Sequence, residues 1–276
     1  MALSLPAKPA VTLIFIVVVI DTLGLGIIYP ILPALIQSLT GEGMSKAAIM
    51  GGWLTAVYAL MQFFFSPMAG SLSDRFGRRP ILIISMAGLF ADYVLLAIAQ
   101  NIELLFVGRV LSGIFGASYT AASAYITDIT EEKSRAKYFG LLYSAYGLGL
   151  VAGPVIGGLF GAIGIRVPFI AAGIISLICS LFVYFILPES LDQKNRQPFN
   201  RKTANPLTAF SLIKKYDSLY RLLAGFFLLY IASYVVVSIW PFFTILKFHW
   251  TEFQIGISLS IFGLLIAAVQ AVATDY

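Results

Sequence analysis

AIMGGWLTAVYALMQFFFSPMAGSLSDRFGRRPILIISMAGLFADYVLLAIAQ, residues 48–100, is two apolar runs joined by a short hydrophilic turn. The runs, 48–70 and 80–100, each reach the roughly 20 residues that a helix needs to cross a bilayer. The turn between them holds Asp74, Arg75, Gly77, Arg78 and Arg79, with Gly70 at its start. A connection this short reverses tightly, and Gly77 can take the positive φ that such a reversal needs. Asp74 can cap a helix or pair with one of the arginines. Basic anchoring at a membrane surface explains the three arginines but not the aspartate and glycines set among them.

The same pattern extends over the chain. Apolar runs near 11–36, 104–127, 138–160, 167–187, 222–246 and 252–273 join these two and give eight spans. Hydrophobic residues make up 59% of the 276 and charged residues 11%, against about 25% charged in soluble domains. That deficit excludes a soluble enzyme, a disordered chain and a nucleic-acid binder. Continuous rather than alternating runs exclude a β-barrel. One Cys (Cys179) and one His (His249) leave no disulfide and no metal cluster to propose. The first run is no cleavable leader, because it carries Asp21, Pro30 and Pro33. The fold class is an all-α integral membrane protein.

Lys and Arg orient the spans. With the N-terminus cytoplasmic, 14 of the 18 basic residues fall in inner segments, 1–10, 71–79, 128–137 and 188–221. Only Lys46, Arg166 and Lys247 fall outside, and Arg109 lies within a span. The net charge of +5 therefore reads as topology rather than as affinity for an anionic partner. Three regions follow: a six-helix bundle over 1–187, a basic central loop over 188–221, and two helices over 222–276. Within the loop, 207–220 is expected to form an amphipathic surface helix through Leu207, Phe210, Leu212, Ile213 and Leu219. Six helices and then a long inner connection is the layout of one half of a two-bundle transporter.

Asp21, Asp92 and Arg109 lie well inside spans, where each costs about 2.5–3.5 kcal/mol on insertion scales. At about 1.5 Å per residue, Asp21 is near the midplane and the other two are in the middle or outer half. One polar cavity can hold all three. One reading is a structural ion pair. The other is a carboxylate that takes up and releases a proton as a neighbouring Arg moves. Span 5 (YGLGLVAGPVIGGLFGAIG) gathers Gly147, Gly149, Gly153, Gly157, Gly158 and Gly161 around Pro154. Proline kinks such a helix and glycines at four-residue spacing admit a close neighbour. Generic packing is the alternative to a dedicated helix crossing.

These residues resemble the major facilitator superfamily (MFS), and within it the drug/proton antiporters of the tetracycline-efflux subfamily. The inner turn is similar to G-x3-D-R-x-G-R-R (Gly70, Asp74, Arg75, Gly77, Arg78, Arg79). Span 5 is similar to G-x3-G-P-x2-G-G (Gly149, Gly153, Pro154, Gly157, Gly158). Span 1 (DTLGLGIIYPILP) and GRVLSG around Arg109 match the drug-efflux pattern, and ADYVLLA around Asp92 and YALMQ around Gln62 resemble the tetracycline subgroup. Four motifs stand in the right order over essentially the whole chain.

The resemblance implies proton-coupled antiport of a small amphipathic drug such as tetracycline across a bacterial inner membrane. It implies no cofactor and no metal, with protons as the coupling ion. It implies that the partners are drug, protons and bilayer, and not nucleic acid. Asp74 and Arg78 would lock the inner side. Arg109 would support a proton relay, with Asp21 as a candidate partner. Asp92 would be an embedded acid, the Gly-Pro helix would seal the halves together, and Gln62 and Asp92 would lie on the substrate path. Ile266 stands where the subgroup often has a His in span 8. Superfamily members have twelve or more spans, so this chain is expected to be a C-terminally truncated form, inactive in transport alone. The competing reading is a non-transporting membrane remnant or interaction partner. No nucleophile–base pair or phosphate loop supports an enzyme.

Overall fold

The structure is a computed structural model that describes residues 7–201, 203–208 and 217–273. Helices account for every apolar run. In chain order they are α1 (Ala7–Thr40), α2 (Met44–Phe76), α3 (Arg78–Ile98), α4 (Ile102–Phe115), α5 (Ser118–Ile129), α6 (Glu132–Gly161), α7 (Val167–Ile186), α8 (Asp217–Phe248) and α9 (Glu252–Ala273). No strand occurs among the described residues. With α4 and α5 taken together, seven stretches are long and apolar enough to cross a membrane, and α9 adds a shorter apolar stretch. Helix is the form that satisfies every backbone polar group inside its own segment, as hydrocarbon requires.

Two boundaries differ from the sequence expectation. The inner turn shrinks to Gly77 alone, because α2 runs on to Phe76 and α3 begins at Arg78. The charged residues there have water beyond the membrane and stay helical. The fourth span is broken into α4 and α5 at Gly116–Ala117, although no proline is present. Gly116 (φ −71°, ψ 30°) and Ala117 (φ −100°, ψ 15°) leave the helical region. The Gly116 carbonyl so freed accepts a hydrogen bond from Gln62 Nε2 at 2.9 Å. A break at membrane depth is tolerated where such a partner replaces the helix bond.

α1 runs through the middle of the first six spans, with Ile14, Val17, Val18, Ile31 and Ile36 inaccessible. Its backbone meets that of α6. A Cβ on Gly153 would lie 2.6 Å from the Leu23 carbonyl oxygen, and one on Gly26 would lie 2.9 Å from the Gly153 Cα. The opposite edge of α6 carries α9. A Cβ on Gly256 would lie 2.2 Å from the Pro154 carbonyl oxygen, and Ser260 Oγ donates to the Val151 carbonyl. α3 packs on α7, where Ser180 Oγ donates to the Ile83 carbonyl.

The segment after α7 folds back over the basic end of the bundle. Gln197 N–H donates to the Asp74 carbonyl at 3.1 Å, and Asn200 N–H donates to Ser71 Oγ at 3.2 Å. The expected amphipathic helix over 207–220 falls largely outside the described residues.

Candidate functional site

A cavity of about 640 Å³ opens between the first six spans and α8–α9. Asp21, Thr22, Leu25 and Tyr29 line it from α1, Tyr58 and Gln62 from α2, Tyr119 from α5 and Tyr146 from α6. α8 contributes Ser233 and Tyr234, and α9 contributes Phe262 and Ile266. The wall is thus aromatic and apolar, with phenol, amide and hydroxyl groups and one carboxylate. It suits a flat, amphipathic molecule better than a strongly hydrated one.

Asp21 is 7% exposed, and Ser118, the first residue of α5, donates its hydroxyl to Asp21 Oδ2. No cation pairs with Asp21 among the described residues. Gln62 Nε2 bonds Tyr58 Oη at 2.9 Å as well as the Gly116 carbonyl, which ties the broken span to α2.

Arg109 pairs with Asp92, not with Asp21. Arg109 Nη2 lies 3.1 Å from Asp92 Oδ2, with the arginine 7% exposed and the aspartate inaccessible. α3 and α4 are adjacent, and Gly108 leaves room for the carboxylate: a Cβ there would be 2.7 Å from Asp92 Oδ1. Asp21 lines this cavity and Asp92 does not. Sequence fixes height in the membrane but not direction around the helix. Ile266 does face the cavity, whereas His249 sits at the α8–α9 turn with φ 54° and does not line it.

At the basic end, Arg78 gathers a cluster. Its Nη1 donates to Asp74 and to Ser73 Oγ (2.7 Å), and its Nε donates to Asp128 Oδ2 at 3.1 Å. Glu189 receives the backbone N–H of Arg78 (2.8 Å) and of Arg79 (3.2 Å), satisfying donors at the start of α3 that have no helix partner. Gly77 has φ 110°, and a Cβ there would strike the Glu189 carboxylate at 2.2 Å. Ser190 Oγ donates to the same Asp128 oxygen, and Tyr125 Oη to the Pro188 carbonyl. Arg79 donates to the Tyr184 carbonyl instead, while Arg75 is exposed over the Phe76 ring. Gly70 lies against Thr120. The motif residues therefore divide: Asp74 and Arg78 form the ion cluster, Gly77 permits it, and Arg75 and the side chain of Arg79 stand apart.

The span-5 motif divides as well. Gly149, Gly153 and Gly157 face α1 and Gly158 faces α9, whereas Pro154 touches both, its ring against Gly26 of α1 and its carbonyl against Gly256 of α9. Sequence reasoning missed Ser118, Asp128, Glu189 and the cavity tyrosines. Asp128 and Glu189 were visible only as carboxylates at inner span ends opposite a basic turn, and Ser118 and the tyrosines gave no signal.

The sequence profile of the Major Facilitator Superfamily matches residues 13–276. The chain belongs to the Major Facilitator Superfamily. It is 38% identical over 257 residues to the class C tetracycline resistance protein of Escherichia coli, covering 93% of this chain and 64% of that protein. It is 36% identical to the class H tetracycline resistance protein of Pasteurella multocida, covering 95% and 65%. The multidrug resistance protein 1 of Bacillus subtilis (strain 168) is 29% identical, covering 92% and 63%. This MFS chain thus spans about two thirds of the length of these relatives. In fold it is similar to the human organic anion transporter MFSD10 (TETRAN), with a TM-score of 0.74 at 22% identity over 97% of this chain and 72% of that one. It is also similar to a bacterial homologue of the lysosomal transporter Spinster in its inward-facing, unoccupied conformation, with a TM-score of 0.69 at 21% identity, covering 98% and 60%. It is a multi-pass membrane protein of a transporter superfamily.

Proposed function

We propose that the protein this chain represents exports a small, flat, amphipathic drug, tetracycline first among candidates, in exchange for protons across a bacterial inner membrane. The single observation that carries this reading is Asp21: a buried carboxylate on the wall of a drug-sized cavity, held by a neutral hydroxyl and, among the described residues, by no cation. Such a group can lose its charge to a proton without stranding a partner. The names of its tetracycline-resistance relatives support the substrate class. The bias of Lys and Arg supports a cytoplasmic N-terminus.

In this mechanism Asp21 holds a proton in one state and releases it in the other, and drug occupies the space beside it. Arg109 and Asp92 neutralise each other at membrane depth and fix the α3–α4 register next to the cavity. Asp74, Arg78, Asp128 and Glu189 hold the cytoplasmic ends of α2, α3 and α5 together, and they part or tighten as the two bundles rock about the midplane. The α6–α1 and α6–α9 contacts keep backbone against backbone, which leaves no leak beside the cavity.

A second reading is a membrane protein that binds without transporting. One observation favours it: Phe226, Phe227, Leu228 and Leu229 of α8 are 52–65% exposed, and Leu229 also lines the cavity. Tetracycline uptake into everted membrane vesicles under an acid-inside gradient separates the two. Export predicts accumulation that Asp21→Asn reduces by at least about tenfold, the loss of one obligate protonation step. Accumulation that Asp21→Asn leaves intact would remove Asp21 from the mechanism. Absence of accumulation both from this chain and from any longer protein that contains it, with drug still bound, would favour the second reading.

A further inference from the structure

Resting on the reading of Asp21 as the proton site, we infer that Ser118 is a positioning residue and that α5 is the rod through which Asp21 moves the cytoplasmic ion cluster. α5 has 12 residues, about 18 Å at 1.5 Å each. One end carries Ser118, inaccessible to solvent, with its hydroxyl on Asp21. The other end carries Asp128, which holds Arg78 at 3.1 Å and Ser190 at 3.0 Å. Between them Ala121, Ala122, Tyr125 and Ile126 are buried, so the helix moves as a unit.

Three features make this helix a lever and not a passive wall. The break at Gly116–Ala117 frees it from α4, so that it can tilt while Arg109 stays on Asp92. Gln62 holds the last carbonyl before the break, which places the pivot on α2. α5 also has no side-chain cap at its own N-terminus. The Asp21 anion, reached through Ser118, stands at the positive end of the helix, an attraction of up to about 2 kcal/mol in a partly buried setting. Protonation of Asp21 removes the charge and with it the force that draws this end inward. A rigid rod then displaces Asp128 at the far end and loosens Arg78.

Few other groups near Asp21 compete for this role. Tyr58 of α2, Tyr93 of α3, Tyr146 of α6 and Cys179 of α7 face Asp21 electrostatically, and none of them is a carboxylate, a histidine or a cation. Arg109 of α4 is held by Asp92. At the far end Asp74 and Asp128 face Arg78, and Glu189 faces the start of α3.

Hydrogen-exchange mass spectrometry on the purified chain at about pH 8 and about pH 5.5 tests the rod, with exchange corrected for intrinsic rates. Peptides covering 70–80 and 186–198 are expected to change protection by roughly fivefold or more in the wild type. They are expected to be insensitive to pH in Asp21→Asn and in Ser118→Ala. The double variant Ser123→Gly/Ala124→Gly, which keeps both ends and softens the middle, is expected to lose the response as well. It serves if Ser118→Ala does not fold. A response that persists in Ser118→Ala and in the softened helix, yet is lost in Asp21→Asn, overturns the rod and leaves the proton reading standing. A response that persists in Asp21→Asn, or that is absent from the wild type, overturns the rod, and the proton reading is then decided by the vesicle accumulation above.

Discussion

Arg109 and Asp92 show how much one residue pair can mean inside a membrane. Each is costly alone, and with 3.1 Å between them and almost no exposure they are tolerable together. Removing one partner of a buried pair costs roughly 3–5 kcal/mol, whereas replacing both is often neutral. Arg109→Gln is therefore expected to lower the thermal unfolding midpoint of the detergent-purified chain sharply. Arg109→Gln combined with Asp92→Asn is expected to recover most of the loss. A double variant as unstable as the single would mean that the pair is not the stabilising unit. The three embedded charges were legible in the sequence because charge in an apolar run is conspicuous. Their partners were not. Depth along a helix follows from residue count, but whether Asp21 or Asp92 turns toward Arg109 depends on helix rotation and on small neighbours such as Gly108.

Among the elements, α6 separates motif from packing most clearly. Its glycines stood out by spacing, yet spacing treats Gly147 and Gly153 alike. The fold does not. A Cβ on Gly147 meets nothing within 4 Å, while one on Gly153 meets the Leu23 carbonyl oxygen at 2.6 Å and the Gly26 Cα at 2.7 Å. Backbone cannot yield as a side chain can. Gly153→Ala is expected to part α1 from α6 and to cut the yield of folded, monodisperse protein severalfold by size-exclusion chromatography. Gly147→Ala is expected to be neutral, or stabilising by about 0.5–1 kcal/mol from helix propensity. Equal effects would place the crossing elsewhere. The partner stripe on α9, Gly256 and Ser260, was not legible, because two small residues in an apolar helix are ordinary until a neighbour is seen against them. The break between α4 and α5 was likewise hidden. It depends on Gln62, more than 50 residues earlier in the chain, receiving the carbonyl that the break exposes.

For the molecule as a whole, composition and apolar runs were enough for the class, the number of spans and the basic end, since hydrocarbon leaves the backbone few choices. The cavity was not readable, because its tyrosines come from five helices whose faces only packing defines. If Asp21 is the proton site of that cavity, drug and proton compete for it, and counting protons during binding reads this out. Tetracycline is titrated calorimetrically into the purified chain near neutral pH, in buffers that differ in ionisation enthalpy. Binding is expected to be accompanied by proton release, and the release is expected to disappear in Asp21→Asn while binding remains measurable. Binding with no proton exchange in the wild type, or with the same exchange in Asp21→Asn, would contradict Asp21 as the proton site.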